Sequence, residues 1–137
     1  MRVFLDANIL FSGSLPDSLL SEFLGKLEER GALVSNAYAA AEAERNLQVK
    51  MPKGLAGFKK LMDSLELVPL QLFELEVPLA EKDRPILCGA IAGETDFLLT
   101  GDKKDFGHLF DKTVRGVKVV TVELLITELQ NLGFLEK

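Results

Sequence analysis

Met1-Arg2-Val3-Phe4-Leu5-Asp6-Ala7-Asn8 opens the chain. Val3, Phe4 and Leu5 are consecutive apolar residues with no polar alternation, the pattern of a strand covered on both faces, and such a strand belongs at the centre of a parallel sheet. The run stops at Asp6. In parallel sheets ligands bind in the crevice beyond the carboxyl ends of the strands, which is where Asp6 stands. A plainer role fits the same residue, because Asp6 can also cap the helix opened by Asn8-Ile9-Leu10-Phe11. This stretch alone leaves both roles open.

Working outward, strands and helices alternate. Ser14-Leu15-Pro16-Asp17 offers an N-cap, a first-turn proline and an early acid, and Leu19, Leu20, Phe23, Leu24 and Leu27 then recur at helical spacing up to Gly31. Ala32-Leu33-Val34-Ser35 reads as a second strand, and Ser35 or Asn36 caps an alanine-rich helix through Tyr38, Glu42 and Leu47. After a break at Pro52 and Gly54, Leu55, Phe58, Leu61, Met62 and Leu65 mark a further helix. Leu67-Val68-Pro69-Leu70 follows as a third strand, placed at a sheet edge by its proline. Gln71 to Lys82 has little periodicity and reads as an extended loop. Asp83 and Pro85 start a helix that ends near Gly93, Phe97-Leu98-Leu99-Thr100 is a second fully apolar strand, and Val117 to Thr121 a fifth. Val122 to Leu132 closes the chain as a helix. The alternation predicts an α/β fold with a sheet between helices.

With 137 residues, residues 1–137 are expected to form a single domain, large enough to bury about two-thirds of the unfolded surface. No stretch approaches the roughly 18 apolar residues of a membrane span, and no basic region followed by an apolar segment opens the chain, so a cytoplasmic protein with no membrane partner is expected. Cys88 is the only cysteine and His108 the only histidine. Any metal must therefore be held by oxygen, which selects hard ions such as Mg2+ or Mn2+. The net charge of -5 gives no general attraction to nucleic acid, so a polyanion would need a local basic patch.

Four carboxylates occupy comparable places: Asp6 after the first strand, Glu42 within a helix, Asp83 at a helix start and Asp102 after the fourth strand. Asp6 and Asp102 converge if their strands are neighbours, and carboxylates crowded together repel unless a cation sits between them. Each also has a plain alternative. Asp83 and Asp102 can be helix caps, and Asp96, Asp105, Asp111 and Glu44 solvated surface charges in a chain with 21 acids.

The segments Val3-Phe4-Leu5-Asp6-Ala7-Asn8-Ile9-Leu10, Glu42-Ala43-Glu44-Arg45-Asn46-Leu47, Lys82-Asp83-Arg84-Pro85-Ile86-Leu87 and Asp96-Phe97-Leu98-Leu99-Thr100-Gly101-Asp102-Lys103-Lys104-Asp105-Phe106 together resemble the PIN domain. That family of metal-dependent ribonucleases includes the VapC-type toxins of toxin–antitoxin systems. The resemblance covers nearly the whole chain. It implies a three-layer α/β/α fold with a central parallel sheet of about five strands, and Asp6, Glu42, Asp83 and Asp102 as catalytic, metal-binding acids. It also implies Asp105 as a further metal contact, and Asn8 and Thr100 as groups touching the acids or the substrate. Hydrolysis of RNA phosphodiesters with Mg2+ or Mn2+ goes with it, as do an antitoxin partner and a homodimer. The acidic net charge departs from the basic surface common in the family.

Two other readings compete. A haloacid dehalogenase-like phosphohydrolase also uses an acid after its first strand, but wants a second acid two residues on, where this chain has Asn8. A PIN-like protein that binds RNA or an antitoxin without cutting is the other, and the complete acid set argues against it.

Overall fold

The computed structural model describes residues 1–136. In chain order it contains β1 (Arg2–Leu5), α1 (Ala7–Gly13), α2 (Leu19–Arg30), β2 (Ala32–Asn36), α3 (Ala37–Lys50), α4 (Leu55–Ser64), β3 (Glu66–Val68), α5 (Arg84–Ala92), β4 (Phe97–Leu99), α6 (Lys103–Phe106), β5 (Thr113–Val114), β6 (Val117–Val120) and α7 (Val122–Asn131). Short 3-10 turns cover Pro52–Gly54, Glu81–Asp83 and Gly107–Leu109. No helix among the described residues is long and apolar enough to cross a membrane.

The sheet runs in the order β3-β2-β1-β4-β6-β5, parallel except for the β5–β6 pair. Val3, Phe4, Leu5, Leu98 and Leu99 are wholly buried, so the two central strands are covered on both faces, as their unbroken apolar runs require. The result is the three-layer α/β/α architecture expected from the sequence. The chain moves outward to one side through β2 and β3, then returns across β1 to β4 and β6. The direction of winding therefore reverses between β1 and β4, and the crevice of the fold lies beyond the carboxyl ends of those two strands.

The sheet has six strands where about five were expected. The additional β5 is two residues long and pairs with β6 through a tight turn in which Arg115 (φ 47°) and Gly116 (φ 86°) both take left-handed conformations. That backbone matches the twist of a two-residue hairpin, but Arg-Gly lacks the Asn-Gly or Asp-Gly signature by which such turns are recognised. β3 does lie at the edge and ends one residue before Pro69. The start of α2 also differs. Its cap is Ser18, whose side chain accepts from Ser21 N at 2.9 Å, while Ser14 closes α1 by donating its hydroxyl to Leu10 O at 2.6 Å. Asp17, left-handed at φ 57°, prevents a helix from running continuously out of Pro16.

The segment between β3 and the 81–83 turn is extended, as expected. Phe73, Leu75, Val77 and Leu79 turn inward and Glu74, Glu76 and Pro78 outward. His108 meets Pro78 O at 2.6 Å and Arg115 donates to Glu74 O at 2.8 Å, so the strap is fastened from outside as well. It delivers Asp83 to the crevice.

Close packing of α5 on the sheet sets that delivery. Gly89 faces Asn36 and Phe4, and a Cβ there would stand 2.5 Å from Asn36 Nδ2 and 2.9 Å from Phe4 Cζ. Asn36 has no freedom to retreat, because it caps α3 through Ala39 N and donates to Pro85 O. Gly89→Ala should therefore cost about 1–3 kcal/mol in urea unfolding. Gly25→Ala, on the open face of α2 with nothing near its Cβ, should add about 0.5–1 kcal/mol. Equal stability of the two variants would show that α5 is not seated this tightly.

Candidate metal centre

Asp6 and Thr100 are the first residues beyond β1 and β4, and the pairing of Leu5 with Leu99 sets them side by side. Thr100 Oγ1, fully buried, donates to Asp6 Oδ2 at 2.8 Å and accepts from Asp102 N at 3.1 Å. One hydroxyl thus links the acid of the first strand to the turn that carries the acid of the fourth. Asn8 completes the clamp: its Nδ2 lies 3.3 Å from Asp6 Oδ2, and its Oδ1 accepts from Gly101 N at 2.8 Å. An aspartate in the place of Asn8 would repel Asp6 and lose the amide donor, and the arrangement offers no paired acid of the phosphohydrolase kind.

Asp83, Asp102 and Asp105 converge, each presenting a carboxylate oxygen within 4.8 Å of the others. Asp102 caps α6, accepting from Asp105 N at 3.0 Å, and Asp6 accepts from Ala7 N at 2.6 Å in the same manner at α1. The capping role and the crevice position are thus held by the same residues. Asp83 is different. It precedes α5 without capping it, and its buried Oδ2 has no hydrogen-bond partner. Such an oxygen has exchanged water for nothing, which is unfavourable unless a cation takes water's place. The donor set is entirely carboxylate oxygen and suits a hard divalent ion.

Asp6 lies outside the three-carboxylate group, and so does Glu42. Glu42 lies on the exposed side of α3, close enough for its charge to act on Asp6 and on Tyr38, but outside the cluster itself. Tyr38, one turn earlier on the same face, donates its hydroxyl to Lys82 O at 2.6 Å and so ties the 81–83 turn to α3. Sequence reading gave Tyr38 no part in the site. Its spacing of four residues from Glu42 was the available signal.

Burial pushes the Asp6 carboxyl up to about 6, against the hydrogen bonds from Thr100 and Ala7 and with the charges of Glu42 and Asp102 adding to the rise. Burial also lifts Asp83 to about 6, reinforced by Asp105 and opposed by Lys82. Asp105 is held below the usual carboxylate range, chiefly by its hydrogen bond from Lys82, whose Nζ lies 2.9 Å from Oδ2.

This arrangement of sheet, crevice and acids is a PIN-like fold carrying a carboxylate cluster that can hold a metal ion. The chain shares its fold with a chain of the crystal structure of VapBC2 from Rickettsia felis bound to a DNA fragment from their promoter, with a TM-score of 0.66. The match spans 88% of this chain and 98% of the other at 17% sequence identity. No protein-family profile and no curated protein matches the sequence.

The raised carboxyls fix the sign of a pH effect. Asp6 and Asp83 bind protons more tightly folded than unfolded, so without metal the stability these two groups contribute is lost as pH rises from about 4 to about 6. A tenfold difference in proton affinity corresponds to about 1.4 kcal/mol, reduced where water screens the group. Asp83→Asn, which gives up no hydrogen bond, should in EDTA at pH 7.5 be more stable than the parent by about 1 kcal/mol, with the advantage vanishing near pH 4. Asp6→Asn should gain less, because an amide has a single accepting oxygen and cannot serve Ala7 N on one side and Thr100 and Asn8 on the other. Thermal melts across pH check both; a parent that outlasts Asp83→Asn at neutral pH would show that Asp83 is stabilised by its surroundings.

Proposed function

We propose that this chain is a metal-dependent endoribonuclease and the toxin of a toxin–antitoxin pair. The observation that carries the reading is the unpartnered Asp83 Oδ2, buried among converging carboxylates at the point where the sheet reverses its winding. The shared fold with a VapBC2 chain supports the toxin assignment and an antitoxin as partner.

Asp83, Asp102 and Asp105 would hold Mg2+ or Mn2+, with Asp6 beside them and Glu42 facing them from α3. When bound, the ion acidifies water and offsets charge developing on the phosphodiester. The remaining work belongs to the chain. Thr100 and Asn8 fix the Asp6 carboxylate in advance, so that no reorganisation accompanies cation or substrate binding. Asn8 also restrains the Gly101 backbone and with it the turn that bears Asp102. Lys103 and Lys104, exposed directly after Asp102, put positive charge for a phosphate backbone next to an acidic site. The substrate that fits is single-stranded or looped RNA, whose unpaired backbone can bend into a pocket that a stiff duplex cannot enter. A homodimer working in the cytoplasm completes the reading, and the single buried Cys88 suits a reducing compartment.

Incubating the purified protein with a mixed RNA pool tests this. Cleavage is expected with Mn2+ and not with excess EDTA, and Asp83→Asn should reduce it by at least about tenfold to hundredfold, the loss typical of a disturbed ligand shell. Undiminished cutting in EDTA would overturn the metal mechanism.

Glu42 and Glu44 are separated by about 200° around α3, and only Glu42 acts on Asp6. Glu42→Gln should lower the cleavage rate and Glu44→Gln leave most of it. The opposite ranking would move the site to another face of the helix.

A further inference from the structure

Lys82 and Asp83 are neighbours in one 3-10 turn, yet their side chains reach the acid cluster with opposite charges. Lys82 Nζ lies 2.9 Å from Asp105 Oδ2, the Lys82 side chain being 67% exposed and that of Asp105 16%. At an ordinary surface such a pair contributes little, since two solvated groups gain little by meeting. Here the acceptor is a member of the three-carboxylate group, and the ammonium is the cation that the structure places on it.

The main chain of Lys82 is pinned. Its carbonyl accepts from Tyr38 Oη at 2.6 Å, and the following amide, Asp83 N, donates to Ala80 O at 2.9 Å. What remains free is the four-carbon stem, flexible, largely in solvent and able to withdraw without moving the backbone. The charge it delivers is unevenly shared: Asp105 receives a direct hydrogen bond, while Asp83 keeps an oxygen with no partner.

We propose that Lys82 is a built-in counter-ion of the acid cluster, and that loading the divalent metal is an exchange in which the Lys82 ammonium leaves Asp105 as the ion enters. This rests on the metal-centre reading given above. A divalent ion held by Asp83, Asp102 and Asp105 would meet the ammonium at short range, and like charges at that separation repel strongly wherever water is partly excluded. The ammonium yields because it alone has an exit to solvent. In the metal-free protein it does the reverse service, lowering the repulsion among acids that would otherwise spread the turn. The metal affinity of the site is therefore set below what its carboxylates alone provide.

Calorimetric titration with Mn2+ of the parent, Lys82→Gln, Lys104→Gln and Asp83→Asn tests the exchange. Lys104 serves as the equal-charge control, since it makes no ion pair among the described residues. Lys82→Gln should bind Mn2+ about tenfold more tightly than the parent, and melt at a lower temperature in EDTA, with Lys104→Gln close to the parent in both. Unchanged or weaker binding by Lys82→Gln, while Asp83→Asn abolishes binding, would overturn the exchange and leave the metal centre intact. Equal tightening by both lysine variants would overturn it too, as a general field effect. No Mn2+ binding by either the parent or Lys82→Gln would overturn the metal centre and the exchange together.

Discussion

The hydrogen bond from Thr100 to Asp6 is the constraint on which the crevice depends. It crosses ninety-four residues of sequence and joins the ends of two central strands. Its geometry follows from the β1–β4 register: with Leu5 opposite Leu99, the next residue of each strand must emerge at the same height. A shift of one residue would exchange the two faces of the strand and send the acid elsewhere. The bond also fixes how the acid is presented. A buried carboxylate free to rotate would present its oxygens at random, whereas Asp6 is held at one oxygen by Ala7 N and at the other by Thr100 and Asn8.

Around that fixed point the cluster is electrostatically unbalanced by its surroundings. Burial raises Asp6 and Asp83, the neighbouring acids raise them further, and only Asp105 has a cation in contact. Such a pocket resists ionisation when empty and favours it when a cation arrives, so proton release and metal uptake are linked. The fold tolerates the strain because the core beneath is continuous: the apolar residues of β1, β4 and β6 form one buried cluster with those of the helices on either side.

What the sequence made legible and what it hid divide along physical lines. The two central strands were readable because burial on both faces demands unbroken apolar runs, and Pro69 marked the edge because it cannot donate to a ladder. β5 was hidden, since two residues carry no period and the Arg115-Gly116 turn takes its shape without the usual residues. The cap of α2 was misplaced at Ser14 because Ser14 and Ser18 look alike in sequence; only the left-handed Asp17 between them decides which one faces a helix start. For the acids, strand ends placed Asp6 and Asp102, whereas Asp83 and Glu42 were candidates only by their places at a helix start and within a helix. The structure brings Asp83 to Asp102 and Asp105 and leaves Asp6 and Glu42 outside that group. Spacing set Tyr38 beside Glu42, but its contact with Lys82 was hidden, because it depends on where the aperiodic strap from Gln71 to Ala80 travels, and that path is fixed by His108 and Arg115 far along the chain.

The position of β4 between β1 and β6 has a consequence for the chain as it is made. A ribosome releases β1 and β2 early, and these can pair at once, but the other side of β1 faces nothing until β4 has emerged. Until β4 is made, the nascent protein thus carries a central strand with one row of backbone donors and acceptors open, the kind of edge that pairs with other chains. Over the same interval Asp6 has neither Thr100 nor the other strand-end acid beside it. The crevice is assembled late, by the insertion of one short strand, and a truncated product of this gene would lack it altogether.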